Sequence, residues 1–176
     1  GARVEGITLM DAPQFCINMM NSKNSKLKNL KLMAWNYSSD GLSTGENTTL
    51  ENAFFKVNDD VFTLYRSEVS IKNLVIWKQM NASVFQLGYG YDGVRQNISI
   101  SHVDILRDET GAQVMARGIV SMAASKGNSF KNFRIENMTV QGDILNLLAL
   151  DNLNVDTPWS AQKKDVKLGE IDLLLK

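Results

Sequence analysis

The sequence predicts an all-β chain wound as a parallel β-helix, and three observations carry the expectation of a β solenoid. A six-residue unit, apolar–x–Asn–apolar–x–apolar, recurs along the chain. Apolar positions within each copy alternate with period two, which argues strands rather than helices. Copies return every twenty-odd residues, the signature of a stacked repeat array.

The copies run Leu27-Lys28-Asn29-Leu30-Lys31-Leu32, Leu50-Glu51-Asn52-Ala53-Phe54-Phe55 and Ile71-Lys72-Asn73-Leu74-Val75-Ile76. A slipped copy with one extra residue follows at Val94-Arg95-Gln96-Asn97-Ile98-Ser99-Ile100. Phe130-Lys131-Asn132-Phe133-Arg134-Ile135 and Leu150-Asp151-Asn152-Leu153-Asn154-Val155 close the series. The asparagine steps are 23, 21, 24, 35 and 20 residues, and the longest contains an inserted loop or short extra turn near Asp108-Glu109-Thr110-Gly111. Asn recurring at a strand entry suits a ladder of side-chain amides running from coil to coil. Ahead of the first copy, Gly6-Ile7-Thr8-Leu9-Met10 already has the pattern of a strand. A leucine-rich repeat has a similar period but returns through helical segments. Here the returns are strand-like: Val61-Phe62-Thr63-Leu64-Tyr65, Val84-Phe85-Gln86-Leu87 and Ile144-Leu145-Asn146-Leu147-Leu148.

A chain of 176 residues makes one domain, taken as 1–176. Lys plus Arg and Asp plus Glu balance at 19 each, so charge gives no argument for nucleic acid as a partner. Lys28, Lys31, Lys72 and Lys131 fall on polar strand positions, where a solvated face is expected. No segment approaches the length of a membrane span. Cys16 is the single cysteine; its apolar neighbours suggest a buried small hydrophobe, and it leaves no disulfide framework within the chain. No group of His, Cys and acids has metal-ligand spacing, so neither metal nor cofactor is expected. His102 sits on a strand and reads as a surface or stacking residue. Five N-x-Ser/Thr sequons occur, at Asn36, Asn47, Asn81, Asn97 and Asn137. The chain opens without a signal peptide or capping helix, and the ladder pattern fades after about 156. It is therefore expected to be a piece of a longer protein, with Ile171-Asp172-Leu173-Leu174-Leu175 as a last apolar stretch.

Two acidic patches carry chemistry. Asp40, in Ser39-Asp40-Gly41, lies 19 residues before Asp59 and 20 before Asp60. If one period is one coil, the three carboxylates converge on one wall. Like charges so placed repel and raise one another's pKa, and glycosidic-bond hydrolysis uses such pairs of carboxyls. Each patch also has an ordinary explanation: Ser-Asp-Gly is a common turn, and Asp59-Asp60 can cap one.

The run Trp35-Asn36-Tyr37-Ser38-Ser39-Asp40-Gly41, with Asn58-Asp59-Asp60, Ile76-Trp77-Lys78 and Gln86-Leu87-Gly88-Tyr89, resembles glycoside hydrolase family 49, the endo-dextranases and isopullulanases. The resemblance covers roughly Gly6 to Thr110, with a weaker ladder to about Asp156. It implies a secreted enzyme pairing an N-terminal β-sandwich, missing from this stretch, with a right-handed parallel β-helix that hydrolyses α-glucan with inversion. Polygalacturonases share the aspartate layout but add Gly-His-Gly one coil later; here Gln86-Leu87-Gly88-Tyr89-Gly90 has no histidine.

The resemblance implies that Asp59 is the general acid and that Asp40 and Asp60 orient and deprotonate water. Protons in such a cluster belong to the group. Adjacent coils lie roughly 4.8 Å apart, whereas inverting carboxyls are usually about 6.5–9.5 Å apart. A diagonal offset, or two carboxylates gripping one water, would reconcile stacking with inversion. Candidate sugar contacts in the repeat frame are Trp35, Lys56, Asn58, Tyr65, Trp77, Gln86, Tyr89 and Tyr91, with Trp77 equally suited to the core. Three functions stay open: hydrolysis of dextran at α-1,6 bonds, isopullulanase-type cleavage of pullulan, and non-catalytic polysaccharide binding by a β-helix. In each the partner is a polysaccharide, with neither nucleic acid nor membrane.

Overall fold

The computed structural model describes residues 1–88, 93–110, 118–123, 128–151 and 171–175. The short strands β1 (Arg3–Glu5), β2 (Thr8–Met10) and β3 (Phe15–Asn18) open the chain. Long and short strands then alternate: β4 (Lys23–Met33), β5 (Asp40–Ser43), β6 (Glu46–Val57), β7 (Phe62–Leu64), β8 (Val69–Lys78), β9 (Phe85–Leu87), β10 (Gly93–Asp108), β11 (Val120–Ala123), β12 (Asn128–Val140), β13 (Leu148–Asp151) and β14 (Ile171–Leu175). The long strands form one sheet, in the order β1-β4-β6-β8-β10-β12-β14 with β2 beside β4; the short ones form a second, in the order β13-β11-β9-β7-β5-β3. Every pairing is parallel. This is a parallel β-helix, each coil contributing one long and one short strand.

The core is a set of columns running from coil to coil. Leu27, Leu50, Ile71, Ile100 and Ile135 stack in one; Leu32, Phe55, Ile76, Ile105 and Val140 stack in another. Phe62 from the second sheet meets Phe55 with ring centroids 4.7 Å apart and stacks on Phe85 at 5.5 Å. Lys28, Lys31, Lys72 and Lys131 point to solvent as expected, with Lys28 and Lys72 flanking Glu51 at 3.6 and 3.3 Å.

Asparagine sets the bends. In strict alternation Leu27 and Leu30 would face opposite ways, yet both are buried. Asn29 between them has φ 55°, and this left-handed residue resets the alternation. Asn tolerates that region far better than β-branched residues. Asn52 donates to Asn29 Oδ1 at 3.2 Å and Asn73 to Asn52 Oδ1 at 3.0 Å.

Beyond Asn73 the ladder differs from the sequence expectation. Register places His102, φ 56°, opposite Asn73, and Asn137, φ 54°, opposite His102. Asn97 and Asn132 belong to a second left-handed column five residues upstream, Asn24–Asn47–Glu68–Asn97–Asn132. The apparent slip at Asn97 arose from joining two parallel columns; both advance by 23, 21, 29 and 35 residues. Gly6, φ 69°, begins the first column between β1 and β2, and the strand pattern read from Gly6 to Met10 is realised as β2. The final return begins at Leu148 rather than Ile144, and Leu150-Asp151 belongs to the short-strand sheet, not to a ladder copy. Asn152-Val155 lies outside the described residues. The stretch 171–175 does return to the long-strand sheet beside β12.

Asn52→Val should lose about 1–3 kcal/mol more stability than Asn52→Gly, because a β-branched side chain is strained at φ 58° and glycine is not. Urea unfolding of the two variants side by side measures the difference.

Candidate active site

On each coil a turn joins the end of a long strand to the start of the next short one, and the acids lie in this row of turns. Asp40 opens β5, and Asp59 and Asp60 stand just before β7. Leu42 pairs with Phe62, so Asp40 stacks directly on Asp60, two residues earlier on each strand. Asp59, one residue earlier, stands level with Ser39, whose carbonyl its N–H reaches.

Local hydrogen bonds hold this arrangement. Gly41 N–H donates to Asp60 O at 2.9 Å and Asp59 N–H to Ser39 O at 3.0 Å. Ser39, fully buried, accepts from Asn58 N–H at 3.2 Å and donates to Asn36 O at 2.6 Å. Gly41 is required by packing: a Cβ there would sit 2.5 Å from Val61 O and 2.8 Å from the Phe55 ring. Ser39-Asp40-Gly41 is thus a strand entry pressed against the core rather than a free turn.

Asp59 Oδ1 accepts from Asp60 N–H at 2.8 Å, and its Oδ2 from Asn81 Nδ2 at 2.7 Å. Asp60 Oδ1 accepts from Ser83 N–H at 3.0 Å. Burial first, then the charges of Asp60 and Asp59, push the Asp40 carboxyl up to about 8. Asp40 therefore keeps its proton at neutral pH. The three acids share the wall of a cavity of about 370 Å³ with Phe15, Ser43 and Tyr65, among other residues.

Of the candidate sugar contacts, Tyr65 lies on this wall. Gln86 is buried in the next coil, opposite Thr63. Asn58 donates to Trp35 O at 3.0 Å, and its side-chain oxygen accepts from Asn81 N–H at 3.3 Å, so it ties three turns together. The Trp35 side chain is exposed. Lys56 places its ammonium 4.0 Å from the Trp77 ring centroid, Arg107 lies 5.9 Å from the same ring, and Trp77 Nε1 donates to Glu109 at 3.1 Å. Trp77 is thus neither core nor an open platform, because cations and an acid engage it on the outer face of the long-strand sheet. Tyr89 and Tyr91 lie outside the described residues. His102 is exposed in the first ladder column. Burial raises the Cys16 thiol to about 11, with Asp40 adding to the effect, consistent with an inert thiol.

Sequence reasoning missed Lys78, Asn81, Ser83 and Thr63. Lys78 had a signal, since it occupies an inward position two residues after Ile76. Asn81 was noted only as a sequon; its side-chain amide is used by Asp59 and by Tyr37 O at 3.0 Å. Among the described residues no cluster of His, Cys, Asp and Glu could hold a metal ion, and no helix is long and apolar enough to cross a membrane.

No family model matches the chain. Among curated proteins, 79% of it is 25% identical to a dextranase of Arthrobacter globiformis and 24% identical to a dextranase of Arthrobacter sp. (strain CB-8). A shorter stretch, 38% of the chain, is 31% identical to an isopullulanase of Aspergillus niger, covering 12% of that protein. The chain is related to the dextranases and isopullulanases, and it spans 24% of the length of the two dextranases it matches.

Because Asp40 is raised from 3.8 to about 8, the folded chain binds more protons than the unfolded one across that window. Its contribution to stability is therefore present at low pH and is lost as pH rises, by up to about 1.4 kcal/mol per unit. Asp40→Asn should remove this slope. Urea midpoints of the two proteins compared at pH 4, 6 and 8 are expected to move in the variant's favour with each step upward.

Proposed function

We propose that the chain carries the catalytic aspartates of a secreted glycoside hydrolase that cleaves α-glucan, most simply dextran at its α-1,6 bonds. One observation carries the proposal: three carboxyls from two successive coils meet on the wall of one cavity. Keeping like charges together costs free energy, and a solenoid that only binds sugar has no use for it. The relationship to dextranases supports the choice of polymer.

The stacked pair, Asp40 over Asp60, is suited to hold one water. Asp40, protonated through neutral pH, donates to or orients it, and Asp60 receives its proton. Asp59, offset along the chain, faces the leaving glycosidic oxygen as proton donor. Water and leaving group then sit at different carboxyls, as inversion requires. A second assignment is favoured by the raised Asp40 pKa alone: Asp40 is the donor, and Asp59, whose two oxygens accept N–H bonds, stays ionised.

Reducing-sugar release from dextran and pullulan tests the function. Dextran cleavage is expected, falling on the order of 10²–10⁴-fold in Asp59→Asn; release from pullulan alone would move the substrate to the isopullulanase side. A folded wild-type chain that cleaves neither polymer would overturn the hydrolase proposal for this stretch. An α-glucosyl fluoride, whose leaving group needs no proton, distinguishes the two assignments. It should restore turnover to Asp59→Asn and not to Asp40→Asn if Asp59 is the donor, and the reverse if Asp40 is.

A further inference from the structure

Among the described residues, the β-helix buries one lysine where its core calls for an aliphatic residue. Lys78 ends β8, pairs with Val57 on one side and Asp108 on the other, and is 0% exposed. Burying an ammonium costs several kcal/mol even after relaxation, and replacing such a group by an apolar residue is often neutral or stabilising. A stability role alone does not account for it.

Its contacts point to the acids instead. Lys78 Nζ donates to Gln79 O at 2.8 Å and also to Asn81 O. These carbonyls belong to the turn between β8 and β9. The same turn supplies Asn81 Nδ2 to Asp59 Oδ2 at 2.7 Å and Ser83 N–H to Asp60 Oδ1 at 3.0 Å. Asn81 N–H in turn donates to Asn58 O at 3.1 Å, locking this turn to the one that carries the two acids. Among the described residues, the titratable groups acting on Lys78 are Asp60, Asp108, Asp59 and Asp40, all acidic.

We propose that Lys78 is a positioning residue for the aspartate trio: it clamps the 79–83 turn that aims donors at Asp59 and Asp60, and its charge offsets theirs. The electrostatics agree with the geometry. Burial lowers the Lys78 ammonium to about 8 while the four aspartates act to raise it, and Lys78 in turn opposes the upward shift of Asp40. The consequence for turnover rests on the hydrolase proposal; the consequence for the carboxyls does not.

The test uses Lys78→Met, Lys78→Gln, Asn81→Ala and the Lys78→Met/Asn81→Ala double variant. Two things are read in each: kcat on the glucan that the wild type cleaves, and the titration of Asp40 and Asp59 by NMR of ¹³C-aspartate-labelled protein. Lys78→Met is expected to fold, to move the Asp40 titration upward, and to lose on the order of 100-fold in kcat with KM little changed. That loss should largely vanish in the Asn81→Ala background if the clamp acts through Asn81. Lys78→Gln keeps N–H donors without the charge, so it should recover part of kcat while the Asp40 titration stays high. A folded Lys78→Met whose carboxyl titrations match the wild type would overturn the proposal. So would unchanged kcat in an active protein. If the wild type cleaves no glucan, the hydrolase proposal fails while the titrations still decide the role of Lys78. If both lysine variants unfold, Asn81→Ala decides, and an unmoved Asp59 titration would overturn the clamp.

Discussion

Everything in this β-helix depends on register between successive coils. Parallel pairing places residue over residue, so a side chain's neighbours are set by the coil length above and below it. Two columns of left-handed residues, five positions apart, hold that register through coils of 23, 21, 29 and 35 residues. Each left-handed residue resets the inward–outward alternation at the same height on every coil, and amide side chains link many of those resets. A β-branched residue in either column would strain the bend. Coil length varies while the core columns stay in register.

The acidic cluster is a direct product of that register. The coil from Asn29 to Asn52 is 23 residues long, and its short-strand portion brings Asp40 over Asp60. Gly41 makes the fit possible, because no side chain could pass between the Val61 carbonyl and the Phe55 ring. The same closeness carries an electrostatic cost, met in three ways. Asp40 keeps its proton, backbone and amide N–H groups bind Asp59 and Asp60, and a buried ammonium lies beneath the turn that supplies two of those donors.

Those three devices have different reach. The proton on Asp40 is lost near pH 8, in the same range where Lys78 gives up its own. Relative to the unfolded chain, the Asp40 contribution is full in acid and declines through the neutral range until its proton is gone near pH 8.

How much of this was legible in the sequence follows from distance along the chain. Period-two alternation and a recurring Asn are local signals, so the strands, the parallel β-helix and the solvated lysine face could be read directly. Asp40, Asp59 and Asp60 could also be placed together, because one repeat length separates them and stacking does the rest. The two-column ladder could not: Asn97 has the local look of Asn73's successor, and only pairing of β8 with β10 shows His102 in that place. Asn81 and Ser83 were likewise hidden, since an ordinary sequon carries no local mark of what it touches; Lys78 was marked by its inward position after Ile76, but not by its partners. The sequence by itself determined the kind of coil and the acids it bears. The tertiary structure alone decided which residue stands above which and which groups are buried together, because register, burial and turn-to-turn hydrogen bonds join residues some twenty positions apart.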